Sequence, residues 1–234
     1  MELSTVIGVV IGFLALLVGL VLKGASIAAL WNPAAIIIIF AGTAATLLIG
    51  FPMSEIKNFP KIIKLLFKKQ ILTPKSDIIK IFMDMAQTTR REGILYLESQ
   101  MDQYENPFIK KGVALIVDGT DRELVQSLLG EEIAATQSRH RVGINIFTQA
   151  GTYAPTLGVL GAVIGLVAAL GNLNDIEKLG HSIAAAFIAT LFGIFSGYVL
   201  WHPFANKLKR LSMREAEVKE LIIEGILAVQ SGIS

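Results

Sequence analysis

VGINIFTQAGTYAPTLGVLGAVIGLVAALGNLN, residues 142–174, contains no charged side chain. Such a run exceeds the roughly 20 mostly apolar residues that cross a hydrocarbon core. Lipid offers no partner for free backbone groups, so a crossing segment is helical. The crossing is expected over 151–170. Outward from it, three further segments qualify: Leu3 to Leu22, closed by Lys23; Pro33 to Phe51, ending at Pro52; and His181 to Trp201. The expected fold is all-α and polytopic. Four transmembrane helices enclose a helical cytoplasmic domain between helices 2 and 3, and a cytoplasmic helix follows at the C-terminus.

Composition agrees. The chain has 234 residues, 53% hydrophobic and only 17% charged, with a mean hydropathy of +0.61. Soluble domains carry about a quarter charged residues. The deficit is local, because Glu55 to Arg141 reads like an ordinary soluble segment. Buried helices of a large soluble protein are the alternative, but four such runs with one consistent charge bias argue against it. A formal net charge of +2 is too small for a nucleic-acid binder. The absence of cysteine excludes disulfide and thiol chemistry. His140, His181 and His202 lack metal-ligand spacing, and no metal or cofactor is expected. Met1-Glu2-Leu3 lacks the basic start of a cleaved signal peptide.

Lysine and arginine set the orientation. The connectors 24–32 and 171–180 hold one basic residue, Lys178, whereas Lys57, Lys61, Lys64, Lys68 and Lys69 follow the second span and Lys207, Lys209 and Arg210 the fourth. Both termini and the middle segment are therefore expected in the cytoplasm of a multi-pass inner-membrane protein, with Trp31 and Trp201 near opposite interfaces. The domains expected are 1–52 (first hairpin), 53–145 (cytoplasmic), 146–203 (second hairpin) and 204–234 (C-terminal helix). Residues 60–67 alternate lysine and apolar side chains at a helical period, as in an amphipathic helix on a membrane surface. Ser76-Asp77 is expected to cap a helix running to Arg91. Asn106-Pro107 marks a turn, with helices over 107–118 and 121–141, and the tail 207–233 is helical.

No Asp, Glu, Lys or Arg lies inside any span. Ion pathways place an ionisable group in the bilayer, so a channel built from this chain needs a carboxylate from another chain; otherwise the chain is a scaffold. Small residues abound: Gly8/Gly12, Gly161/Gly165 and Gly193/Gly197 are GxxxG pairs that allow close helix approach. Pro155, Gly158, Ala162 and Gly165 share one helical face, as do Ala186, Thr190, Gly193 and Gly197. These stripes are expected to line a pore or clasp a partner helix. Pro155 leaves the Gly151 carbonyl without its helical donor, and Pro203 that of Val199. The two prolines are read as a pair of hinges, with ordinary helix-end prolines as the alternative.

Several stretches resemble the MotA/PomA family, the larger stator subunits of the bacterial flagellar motor, most closely those of Gram-positive spore-formers. They are Asn32-Pro-Ala-Ala-Ile36, Gly42-Thr-Ala44, Arg90-Arg-Glu-Gly-Ile-Leu-Tyr-Leu-Glu98, residues 147–158 (FTQAGTYAPTLG) and residues 202–209 (HPFANKLK). The resemblance implies a homo-pentamer around two copies of MotB, whose single span supplies an essential aspartate, with the rotor protein FliG as the second partner and lipid around the ring. It implies that Arg90 and Glu98 face the rotor and that Pro155 and Pro203 couple ion passage to movement. It also implies that Thr190, Ala162, Pro155 and Tyr153 face the ion path or the partner. Sodium-driven members have a hydroxyl where this chain has Ala162, and hard cations want oxygen ligands. The transported ion is therefore expected to be a proton rather than sodium.

Other readings are an energy transducer of the ExbB/TolQ kind, and a transporter or scaffold without motor function. The first of these families typically has three spans, and transporters show a midplane polar site. An enzyme is least expected, since no nucleophile elbow, phosphate loop or paired carboxylate is present.

Overall fold

A computed structural model describes residues 2–69 and 72–233, and every regular element among them is helical. Four helices are long and apolar enough to cross a membrane: Leu3–Leu22, Pro33–Gly50, Arg122–Leu170 and Ile176–Gln230. The first two keep the expected bounds to within a residue. Asn32 caps the second by accepting a hydrogen bond from the Ala35 N–H, and Pro33 occupies the first helical position, where no donor is needed.

The other two are far longer than a membrane requires. The helix expected over 121–141 is not separate: it continues unbroken into the third span, from Arg122 to Leu170. Its glycines at 130, 143 and 151 each cost about 1 kcal/mol of helix propensity but do not stop a helix. The fourth span likewise runs from Ile176–Phe195 through a π-helical stretch, Ser196–Trp201, into His202–Gln230. That stretch ends one residue short of Pro203 with His202 between them. The His202 N–H reaches back five residues to the Gly197 carbonyl, so the ladder widens before the residue that cannot donate.

The chain divides into two compact units, 2–69 with 141–209, and 72–140 with 210–233. The second unit has a conventional apolar core. Ile78, Phe82 and Met85 of Lys75–Glu92 recur at helical spacing, as do Val125, Leu129 and Ile133, and Ile222, Ile226 and Val229; all are buried with Leu97, Phe108, Ile109, Val113 and Ile116. The expected Ser76-Asp77 cap is not formed. The helix begins at Lys75 after Pro74 without a side-chain cap, and Asp77 sits inside its first turn, where a carboxylate still suits the helix dipole. The helix ends one residue beyond Arg91, at Glu92, because Gly93 takes a φ of 85°.

Tyr104 stands half-buried in this unit. Burial first, and the negative charge of Asp84 second, push its phenol above the usual tyrosine range. The neutral phenol is thus favoured in the folded protein. Above the ordinary value of 10.0 the unfolded chain releases this proton before the folded one does, so stability falls as pH rises. Tyr104→Phe is expected to flatten that alkaline decline while leaving the melting temperature at neutral pH within a few degrees. Thermal unfolding of the purified protein between about pH 8 and 11 checks it, and an unchanged alkaline slope would refute the assignment.

The first unit has an aromatic centre. Phe147 is fully buried, stacks on Phe59 at 5.0 Å, and meets Trp201 at 6.0 Å and Phe204 at 6.2 Å. The helix Phe59–Phe67 turns its apolar side onto this cluster, with Leu66 fully buried and Ile62 against Gly143. Its amphipathic pattern thus has an intrachain partner. Trp201 belongs to the same cluster and is only half-exposed, unlike Trp31, which stands 78% exposed. The aromatic neighbours of Trp201 are supplied by residues distant in sequence.

Candidate functional site: the hairpin of spans three and four

The small-residue stripes of the third and fourth spans pack against each other within the chain. A Cβ placed on Gly165 would lie 2.9 Å from the Ala186 Cβ, one on Gly161 2.8 Å from the Ala189 Cβ, and one on Gly158 3.0 Å from the Ala189 carbonyl oxygen. A Cβ on Gly193 would lie 2.7 Å from the Ala154 carbonyl oxygen, and one on Gly197 2.7 Å from Pro155 Cγ. The contacts climb one helix as they descend the other, as in an antiparallel pair. Gly158, Gly165, Ala186, Gly193 and Gly197 of the two stripes thus serve the contact between the spans, because only glycine and alanine let the two backbones come this close.

Pro155 lies in the same contact. The carbonyl it releases, on Gly151, is not left facing open space: a Cβ on Gly197 would lie 2.8 Å from it. Gly151 is in turn the seat of the His202 ring, at 2.8 Å from a Cβ placed there. Gly151 and Gly197 thus interlock with Pro155 and His202 beside the π-helical stretch.

Ala162 and Thr190 are half-buried within a turn of this contact, and the Thr190 α-carbon lies 3.4 Å from the Gly158 Cβ position. The Thr190 hydroxyl donates to the Ala186 carbonyl at 3.3 Å, which keeps an oxygen lone pair available on the span surface. Pro155 is half-buried, while Tyr153 and Pro203 are exposed. The hairpin holds backbone carbonyls and hydroxyls but no Asp, Glu, Lys, Arg or His between Val142 and Asn174.

At Lys207, one turn beyond Pro203, lies a contact the sequence did not disclose. Its ammonium pairs with Glu2 at 3.2 Å and donates to the hydroxyls of Ser4 and Thr5. Thr5 also donates to the Leu66 carbonyl at 3.1 Å. The end of the fourth span is thereby tied to the start of the first and to the helix Phe59–Phe67. Partners some two hundred residues apart leave no periodic signal.

Arg90 and Glu98 belong to the other unit. Both side chains are exposed, Arg90 near the end of Lys75–Glu92 and Glu98 on the short helix Tyr96–Gln100. One Arg90 N–H donates to the Gly232 carbonyl at 3.2 Å. No group of three or more His, Asp or Glu able to hold a metal ion occurs among the described residues.

Comparison with known proteins agrees with this architecture. Residues 100–220 match the model of the MotA/TolQ/ExbB proton channel family, and residues 6–93 that of the motility protein A N-terminal region. Motility protein A of Bacillus subtilis is 51% identical over 99% of this chain and 86% of its own length. Chemotaxis protein PomA of Vibrio alginolyticus is 34% identical over 99% and 90%. A solved flagellar MotAB stator complex from Bacillus subtilis has a chain that superposes with a TM-score of 0.93 at 52% identity, covering 97% of this chain and 89% of that one. The four apolar helices, the small-residue hairpin and these matches agree, and the chain belongs to the MotA/TolQ/ExbB proton channel family, on its motility-protein branch.

Proposed function

We propose that this chain is the larger stator subunit of a flagellar motor, which with a MotB-type partner forms a proton channel and converts ion motive force into rotation. The observation that carries the reading is that none of the four spans holds an Asp, Glu, Lys or Arg. Proton pathways place an ionisable group in the bilayer, and in this reading that group is the aspartate of the partner's single span. The chain's own contribution is a dry, close-packed wall, on which the Thr190 hydroxyl, Ala162 and Tyr153 stand beside that aspartate. Protonation of the aspartate removes its charge and with it the cost of moving past an apolar surface. Pro155 and Pro203 flank the interlocked glycines and transmit the resulting shift.

In this reading five copies surround two partner chains in the inner membrane, with both termini in the cytoplasm. Residues 53–145 and 204–234 form the cytoplasmic part, and Arg90 and Glu98 meet the rotor protein FliG. The lysines after the second and fourth spans support the orientation.

Deletion of the gene is expected to leave cells with intact but immobile flagella. Swimming returns only when this chain and a partner with its aspartate are both supplied. Speed is expected to be the same in sodium and in potassium medium, since Ala162 gives a dehydrated cation no oxygen. Tracking of cells across sodium concentrations checks the ion, and a speed that climbs with sodium would overturn the proton assignment. Defective siderophore uptake with normal motility would overturn the motor reading itself.

A further inference from the structure

The last helix ends against two guanidinium groups. Its backbone closes at Gly232, whose φ of 66° is the left-handed conformation that favours glycine. The Gly232 N–H bonds the Val229 carbonyl, and the Ile233 N–H bonds the Ala228 carbonyl. This turn directs the Gly232 carbonyl outward to the Arg90 guanidinium at 3.2 Å, while the Ser231 hydroxyl accepts from Arg122 at 2.9 Å. The Gln230 amide donates to the Thr120 carbonyl at 2.7 Å. A helix C-terminus carries partial negative charge, so both arginines are electrostatically placed as well as hydrogen-bonded.

From this we infer that the C-terminal turn Ser231–Gly232 positions Arg90 for its contact with the rotor. The inference rests on the reading that Arg90 faces the rotor. An exposed arginine on a helix end samples many rotamers, and holding it in one costs side-chain entropy. Here one of its five N–H donors is fixed by a backbone carbonyl, and among the described residues the rest of the planar fork has no hydrogen-bond partner, which suits it to a carboxylate on the rotor. Gly232 acts through Arg90 and touches no partner itself.

The affinity of the purified stator complex for the purified rotor protein at low ionic strength tests this. Gly232→Val, which cannot hold a positive φ without strain, is expected to weaken binding about fivefold, in the range of one ordinary hydrogen bond lost. A chain ended after Gln230 is expected to do the same. Gly232→Asn, which tolerates that conformation, is expected to bind like the parent protein. In an Arg90→Ala background, Gly232→Val is expected to change affinity less than twofold. The proposal is overturned if Gly232→Val binds normally, or loses as much without Arg90 as with it. Should Arg90→Ala alone bind the rotor normally, it is the rotor-facing reading of Arg90 that fails.

Discussion

Cells carrying Gly193→Val as their only copy are expected not to swim. A Cβ at Gly193 would stand 2.7 Å from the Ala154 carbonyl oxygen, 2.8 Å from the Gly158 α-carbon and 3.1 Å from the Gly158 nitrogen. All three neighbours are backbone, so no side chain can swing aside. Relief requires the third and fourth spans to separate. Separation opens the Gly158 and Gly161 contacts in turn, because one interface holds them all. Overpacking a core by a methylene or two costs typically 1–3 kcal/mol where side chains can shift, and a rigid backbone wall places this case above that range. Gly193→Ala is expected to be partly motile and Gly193→Val immotile in soft agar, with the membrane content of each variant read by immunoblot. A Gly193→Val strain that spreads like its parent would show that the two spans are not in this contact.

The second large effect lies in the other unit and reverses the usual benefit of replacing a helical glycine. Gly225→Ala is expected to destabilise the protein by about 1–3 kcal/mol, because a Cβ there would meet the Phe82 ring at 2.3 Å. Phe82 is itself buried, so the ring has little room to retreat. Gly130 is also helical, and nothing lies within 4 Å of its Cβ position. Gly130→Ala is therefore expected to stabilise by up to about 1 kcal/mol. Shrinking the ring with Phe82→Leu is expected to be milder in the Gly225→Ala background than alone, as contacting residues couple. Melting temperatures of the three single variants and the double variant check this, and equal shifts for Gly130→Ala and Gly225→Ala would refute it.

Spans were legible because burial in lipid forces a long charge-free run, and the ends of the first two were legible because Lys23, Asn32 and Pro52 punctuate them. The continuity of Arg122–Leu170 was not. Polarity changes at Arg141, and a change of environment reads like a boundary even where the backbone crosses it without a break. The packing of the small-residue stripes on each other was not legible for a related reason. Spacing shows that a helix face is smooth, but the same smoothness suits a neighbouring helix of the chain and a foreign one. Only the pairing of Gly158 with Ala189 and Gly193, and of Pro155 with Gly197, distinguishes them. Family resemblance singled out Arg90, yet its hydrogen bond to Gly232 joins residues too far apart in sequence for any local pattern to record.

The self-packed hairpin bears on how the complex is made. Since Gly161, Gly165, Gly193 and Gly197 find their neighbours inside one polypeptide, closing this hairpin needs no second chain. The third and fourth spans can therefore pair as soon as both lie in the bilayer, so that any later companion meets a surface already set.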